Sequence, residues 1–160
     1  HMSKSRSAKP QVPAIVNRRA RFDYELSDDI VVGISLTGLE VRAAREGHVQ
    51  LKGAYVTIRN SELWLNNASF SLRHNEQGQP NARTVSTSAR KLLAKRRQIE
   101  QLAARKKDGY TIVPTKLLTS GRYIKLVIAL GKGKKRYDKR ETIKRRDVER
   151  EQRRAVRQYR

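Results

Sequence analysis

The chain has 160 residues, which suits one domain with appendages. It is 37% hydrophobic and 32% charged, enough for one modest core, and it has no cysteine, which excludes a disulfide framework, thiolate metal sites and thiol catalysis. Its 37 Lys and Arg against 15 Asp and Glu leave a net charge of +22; such a surface repels itself unless a polyanion neutralises it, and nucleic acid is the usual one.

Other partners fit poorly. No apolar run approaches the ~20 residues of a membrane span, nothing reads as a signal peptide, and no helix joins a broad apolar face to a basic one. The expectation is a cytoplasmic protein with no membrane partner. His1, His48 and His74 are far apart in polar company, so neither a metal nor another cofactor is expected. Asp23, Glu25, Asp28 and Asp29 have no histidine nearby and read as surface carboxylates, so the chain is not read as an enzyme.

In chain order, His1-Met2-Ser3 read as a cloning remnant followed by the native start, and His1 is set aside in reading the fold. Residues 1–16, with Pro10 and Pro13 among Ser, Lys and Arg, read as a flexible basic arm, so order should begin at Asn17. Over 22–36 the pattern is β: Phe22, Tyr24 and Leu26 alternate with acids, a turn follows at Ser27-Asp28-Asp29, then Ile30-Val31-Val32 and Ile34. Residues 37–45 read as a short helix with Thr37 as N-cap and Gly47 past its end. Residues 54–59 and 62–65 form a hairpin about Asn60-Ser61, and a further strand covers 68–72. Residues 73–87, rich in Asn, Gln, Gly, Pro, Ser and Thr, read as a long loop of functional interest.

A helix is expected over 88–107, with Leu92, Ile99, Leu102 and Ala103 on one face. Two strands follow, 110–118 and 123–130, joined at Ser120-Gly121, and Pro114 marks an edge or a bulge. Six or seven short strands and two helices suggest a mainly β fold: an OB-like closed antiparallel barrel over residues 17–130 with added α-helices. Its expected core is Val32, Ile34, Val41, Val56, Ile58, Leu65, Leu92, Ile99, Val113, Leu117, Leu126 and Ile128.

Residues 131–160 form a basic tail with 14 Lys and Arg against 5 Asp and Glu, +9 of the +22. Gly131 to Lys135 read as a flexible basic hinge; a phosphate-binding loop would need GxxxxGK[ST], which is absent. Beyond Glu141 helix formers dominate, and Glu141–Arg145 and Glu149–Arg153 have the favourable i,i+4 spacing. The apolar stripe is too thin to hold a helix on the barrel, so the tail is expected to fold when phosphates neutralise its arginines.

Four strings occur in order: Asn17-Arg18-Arg19-Ala20-Arg21-Phe22-Asp23-Tyr24, then residues 33–42 (GISLTGLEVR), then Arg90-Lys91-Leu92-Leu93, then residues 131–140 (GKGKKRYDKR). They resemble the SmpB family of SsrA-binding proteins from about Asn17 onward. The resemblance implies an OB-like barrel that binds the tRNA-like domain of transfer-messenger RNA and delivers it to stalled ribosomes. The tail would then probe the empty mRNA channel near the decoding centre of the small subunit.

It implies an RNA-facing set of Asn17, Arg18, Arg19, Arg21, Glu40, Arg42, Arg45, Arg90 and Lys91. It implies a ribosome-facing set in the tail: Lys132, Lys134, Lys135, Arg136, Tyr137, Asp138, Lys139, Arg140, Lys144 and Arg145. The chain departs from the family pattern at Val31, where a Glu is usual, at Gln50, at Ala43-Ala44, and at Val85, Ser86 and Ser88. A monomer is expected. The alternative is a general OB-type RNA-binding or ribosome-associated protein without transfer-messenger RNA specificity. Such a protein would want an aromatic stacking platform, and only 6% of residues are aromatic.

Overall fold

The computed structural model describes residues 13–76 and 79–134. Its elements are β1 (Ala14–Val16), α1 (Arg18–Asp23), β2 (Tyr24–Ile34), α2 (Gly38–Arg45), β3 (Val49–Gln50), β4 (Tyr55–Arg59) and β5 (Glu62–Asn66). They continue with β6 (Ser69–Glu76), β7 (Gln79–Ser86), β8 (Arg90–Leu93), α3 (Arg96–Lys107), β9 (Thr111–Leu118) and β10 (Lys125–Gly133).

Seven strands form one antiparallel sheet in the order β1-β9-β10-β2-β8-β5-β4, and β3-β6-β7 form a second. The long sheet curls until β4, at one end, touches β9, next to the other end. This is the expected mainly β, barrel-like architecture. Val49 of β3 and Phe70 of β6 are buried in the same cluster as Leu65, Leu92 and Leu126, so both sheets share one core. Nine of the twelve expected core residues are buried; Val41, Ile58 and Ile99 pack partly exposed around them. Among the described residues, no helix is long and apolar enough to cross a membrane.

Local chemistry explains several elements. Thr37 and Glu40 form a reciprocal capping box: the Thr37 N–H donates to Glu40 Oε1 at 2.8 Å, and the Glu40 N–H donates to Thr37 Oγ at 3.3 Å. Asn60 and Ser61 both take positive φ, 50° and 60°, which matches the twist of the β4–β5 hairpin. At Pro114 the β9–β10 register shifts, a bulge where proline's missing N–H costs least.

Six expectations need correction. Residues 14–16 are not arm but strand β1, paired with β9 from Ala14↔Leu118 to Val16↔Lys116; three residues carry no periodicity, and the partner strand decides. Phe22 belongs to α1, and the acidic Asp28-Asp29 is not a turn. It is a bulge inside the 11-residue β2, where the register with β10 slips between Ile128 and Leu130 and Asp28 takes φ 57°. The loop over 73–87 is largely the antiparallel pair β6–β7, held by a ladder that polar composition does not reveal. The helix over 88–107 is strand β8 followed by the shorter helix α3, because residues 90–93 alternate inward and outward between β2 and β5.

The barrel also runs past residue 130. Gly131 pairs with Leu26 and Thr111, and Gly133 pairs with Tyr24. A Cβ on Gly131 would lie 2.9 Å from Val113 Cγ2 and 3.0 Å from Tyr24 Cβ, so this glycine lets three strands close up. The hinge assigned to residues 131–135 therefore cannot begin at Gly131; the expected helix beyond Glu141 lies outside the described residues.

Candidate nucleic-acid interface

On β8, Arg90 and Leu92 are buried while Lys91 and Leu93 face out. The outward pair borders an open concavity of about 830 Å³ between β2, β8, β10 and the start of α3. Val31 and Leu93, 50% and 55% exposed, form its apolar floor. Lys91, Lys95, Arg96 and Lys125 stand around it. Lys91 pairs with Glu62 at 2.6 Å and Arg96 with Glu100 at 3.2 Å. Lys95 and Lys125 have no ion-pair partner among the described residues. The carboxylate of Glu62 also lines the rim, yet the cations outnumber it, and an apolar floor with a mainly cationic rim has the chemistry that suits RNA. Gly33 makes the floor possible, since a Cβ there would come within 3.1 Å of Leu93 Cβ.

A second basic surface is α1. Arg18, Arg19 and Arg21 are exposed, with Arg19 paired to Asp23 at 3.4 Å and stacked over Phe22 at 4.6 Å. Asn17 anchors the helix rather than lying on its surface. Its backbone N–H donates to the Thr115 carbonyl and its Nδ2 to the Pro114 carbonyl, both at 2.8 Å. Its Oδ1 is buried without a hydrogen-bond partner, beside a concavity of about 610 Å³ lined by Arg18, Arg21 and Lys116.

Besides Asn17, three residues of the expected RNA-facing set are committed within the protein. Arg90 is 4% exposed and Glu40 9%, and the two form a buried ion pair, Nε to Oε2 at 2.5 Å. Burial pushes the Glu40 carboxyl up, but the Thr37 N–H together with the hydrogen bond and charge of Arg90 outweigh it, and its pKa lies below the ordinary value. Arg45 donates from Nη1 to the carbonyls of Thr119 and Gly121, both at 2.8 Å, and from Nη2 to that of Arg122 at 2.9 Å, tying α2 to the β9–β10 turn. Arg42 stays exposed and pairs with Glu46 at 3.3 Å.

Of the expected ribosome-facing set, Lys132 and Lys134 are described. Lys132 is exposed near the end of β10, with Nζ 4.7 Å over the Tyr110 ring. The Lys134 N–H donates to the Asp23 carbonyl at 3.0 Å. Lys135, Arg136, Tyr137, Asp138, Lys139, Arg140, Lys144 and Arg145 lie outside the described residues. Sequence reading missed Leu93, Lys95, Arg96 and Lys125 as a surface. No local signal marked it: Arg90-Lys91-Leu92-Leu93 does not alternate polar and apolar, and the in–out pattern exists only in the folded strand.

The model of the family described as SmpB protein matches residues 14–158, nearly the whole chain. The chain belongs to the SmpB family. Curated relatives agree. An SmpB-family relative described as SsrA-binding protein from Nostoc sp. is 42% identical over 144 residues, 89% of this chain and 92% of that protein. Another SsrA-binding protein, from Lysinibacillus sphaericus, is 43% identical over 140 residues, 87% of this chain and 88% of that one. One from Ligilactobacillus salivarius is 40% identical over 154 residues, 95% and 97% of the two chains. A solved chain described as "tmRNA-SmpB: a journey to the center of the bacterial ribosome" superposes with a TM-score of 0.63 at 32% identity, covering 82% of this chain and 95% of that one. The β2–β8–β10 surface and the basic α1 thus sit on an SmpB-type barrel.

Proposed function

We propose that this chain is an RNA-binding adaptor of trans-translation. It binds the tRNA-like domain of transfer-messenger RNA through its barrel and delivers that RNA to stalled ribosomes, with residues beyond Lys134 probing the empty mRNA channel. It acts in the cytoplasm and catalyses no reaction. The observation that carries this reading is the exposed concavity between β2, β8 and β10, apolar at Val31 and Leu93 and cationic at Lys91, Lys95, Arg96 and Lys125. The family match over residues 14–158 and the relatives' common description as SsrA-binding proteins support the choice of RNA. Val31, at a position where the resemblance implies a Glu, keeps this part of the floor apolar.

Binding of the full chain to transfer-messenger RNA and to bulk tRNA across a salt series tests it. A preference for transfer-messenger RNA is expected, and K91A with K125A should weaken binding and flatten the salt dependence by about one unit for each phosphate left without its cation. Equal affinity for both RNAs would favour a general RNA-binding protein. A second test separates barrel from tail. Because Gly131 to Gly133 belong to β10, the informative cut falls after Lys134, not after Leu130. That truncation should keep RNA binding and lose tagging of stalled peptides; loss of RNA binding would refute the division of labour.

A further inference from the structure

Arg90 sits where the two sheets and α2 meet. Its Nε donates to Glu40 of α2. Nη1 donates to the Ala68 carbonyl at 3.3 Å and the Ser88 carbonyl at 2.7 Å, and Nη2 to the carbonyl and Oγ of Ser86 at 3.3 and 3.2 Å. The guanidinium lies 4.0 Å over the ring of Phe70 in β6. Guanidinium offers five N–H groups, and five acceptors meet them here. They come from α2, from the turn before β6, from the end of β7 and from the link into β8. The residue is as buried as the aliphatic core, so it offers no donor to a ligand.

The strand it holds is short. β8 has four residues, with two register pairs to β2, Gly33↔Leu93 and Ile34↔Leu92, and three to β5, from Leu63↔Leu92 to Leu65↔Arg90. The alternation along β8 turns Arg90 inward and its neighbours Lys91 and Leu93 outward, into the concavity. Whatever fixes Arg90 therefore fixes the height and direction of two residues of the RNA surface. A lysine in its place would keep the charge and lose the planar fork that spans these acceptors.

We infer that Arg90, held by Glu40, is a positioning residue for RNA binding: it pins β8 between α2 and the β3-β6-β7 sheet so that Lys91 and Leu93 stand where RNA meets them. This rests on the RNA reading above. The resemblance alone placed Arg90 and Glu40 against RNA; their geometry makes them act through β8 instead.

The test uses the full chain carrying Arg90→Lys. Amide hydrogen exchange without RNA should quicken in β8 and in the β6–β7 pair, while β9 and β10 keep their protection. Affinity for the tRNA-like domain of transfer-messenger RNA should fall on the order of tenfold, as for a binding group set loose from its support. The same substitution in a K91A/L93A background should cost less than about twofold, because the residues it positions are already gone. An equal loss in both backgrounds would overturn the inference, as would wild-type affinity and exchange in R90K. If R90K fails to fold, Glu40→Gln, whose single oxygen can accept from Arg90 Nε or from the Thr37 N–H but not from both, is judged by the same two measurements. A wild-type chain that binds transfer-messenger RNA no better than bulk tRNA would overturn the proposed function, and the exchange pattern would still decide whether Arg90 governs β8.

Discussion

Helices α1 and α2 are both short and carry arginines, yet they deploy them oppositely. In α1, Arg18, Arg19 and Arg21 stand in solvent, and the helix is anchored through Asn17. In α2, Arg42 apart, the chemistry points back into the protein: Glu40 accepts from Arg90, and Arg45 commits its guanidinium to three carbonyls of the β9–β10 turn. The first helix leaves its charge in solvent, while the second ties parts of the barrel together. An exposed cation in a surface ion pair can still turn to RNA, whereas burial with a full set of acceptors removes a cation from candidacy.

The two helices should therefore give opposite signatures on mutation. The largest effect should come from Arg90→Met, which strands the Glu40 carboxylate in the interior; a loss of about 3–5 kcal/mol is expected in urea unfolding. Arg45→Ala should cost about 2 kcal/mol by the same measure, since three backbone carbonyls lose their donor. If Arg45→Ala kept full stability and lost only RNA affinity, α2 would be a contact helix after all; the same outcome for Arg90→Met would make Arg90 itself a contact.

Acid gives a smaller test. Because the folded pKa of Glu40 is depressed below its ordinary 4.5, the stability this group contributes is fully present above that value and is lost as pH falls through the folded value. Glu40→Gln should flatten that part of the pH–stability curve; an unchanged curve would remove Glu40 from the account. Least visible in stability should be Arg18→Ala with Arg21→Ala, within about 0.5 kcal/mol of wild type. Its signature should lie in RNA binding, with a salt slope reduced by about one unit for each phosphate no longer neutralised.

Legibility in the sequence followed the range of the interaction. The capping box of Thr37 and Glu40, the turn at Asn60-Ser61 and the bulge at Pro114 are set by neighbours within a few residues, and all three could be read directly. β1 could not, because three residues have no pattern of their own and exist as a strand only against β9. The β6–β7 pair could not, because its composition is that of a loop and its ladder supplies the order. At residues 88–107, Leu92 and Ile99 fit a helical face as well as the inward positions of a strand and a following helix; flanking strands β2 and β5 broke the tie. In the candidate interface, the basic character of residues 17–21 was within reach. Lys95, Arg96 and Lys125 converge only when β8, α3 and β10 are brought together.

The sequence by itself determined a polycation with one core, without cysteine, bearing the strings that mark its family. Tertiary structure alone decided which cations are free. Glu40 and Arg90 are 50 residues apart, and Arg45 meets carbonyls 74 to 77 residues away. No local pattern records such a separation. Whether an arginine faces RNA or the core depends on where the chain returns to meet it.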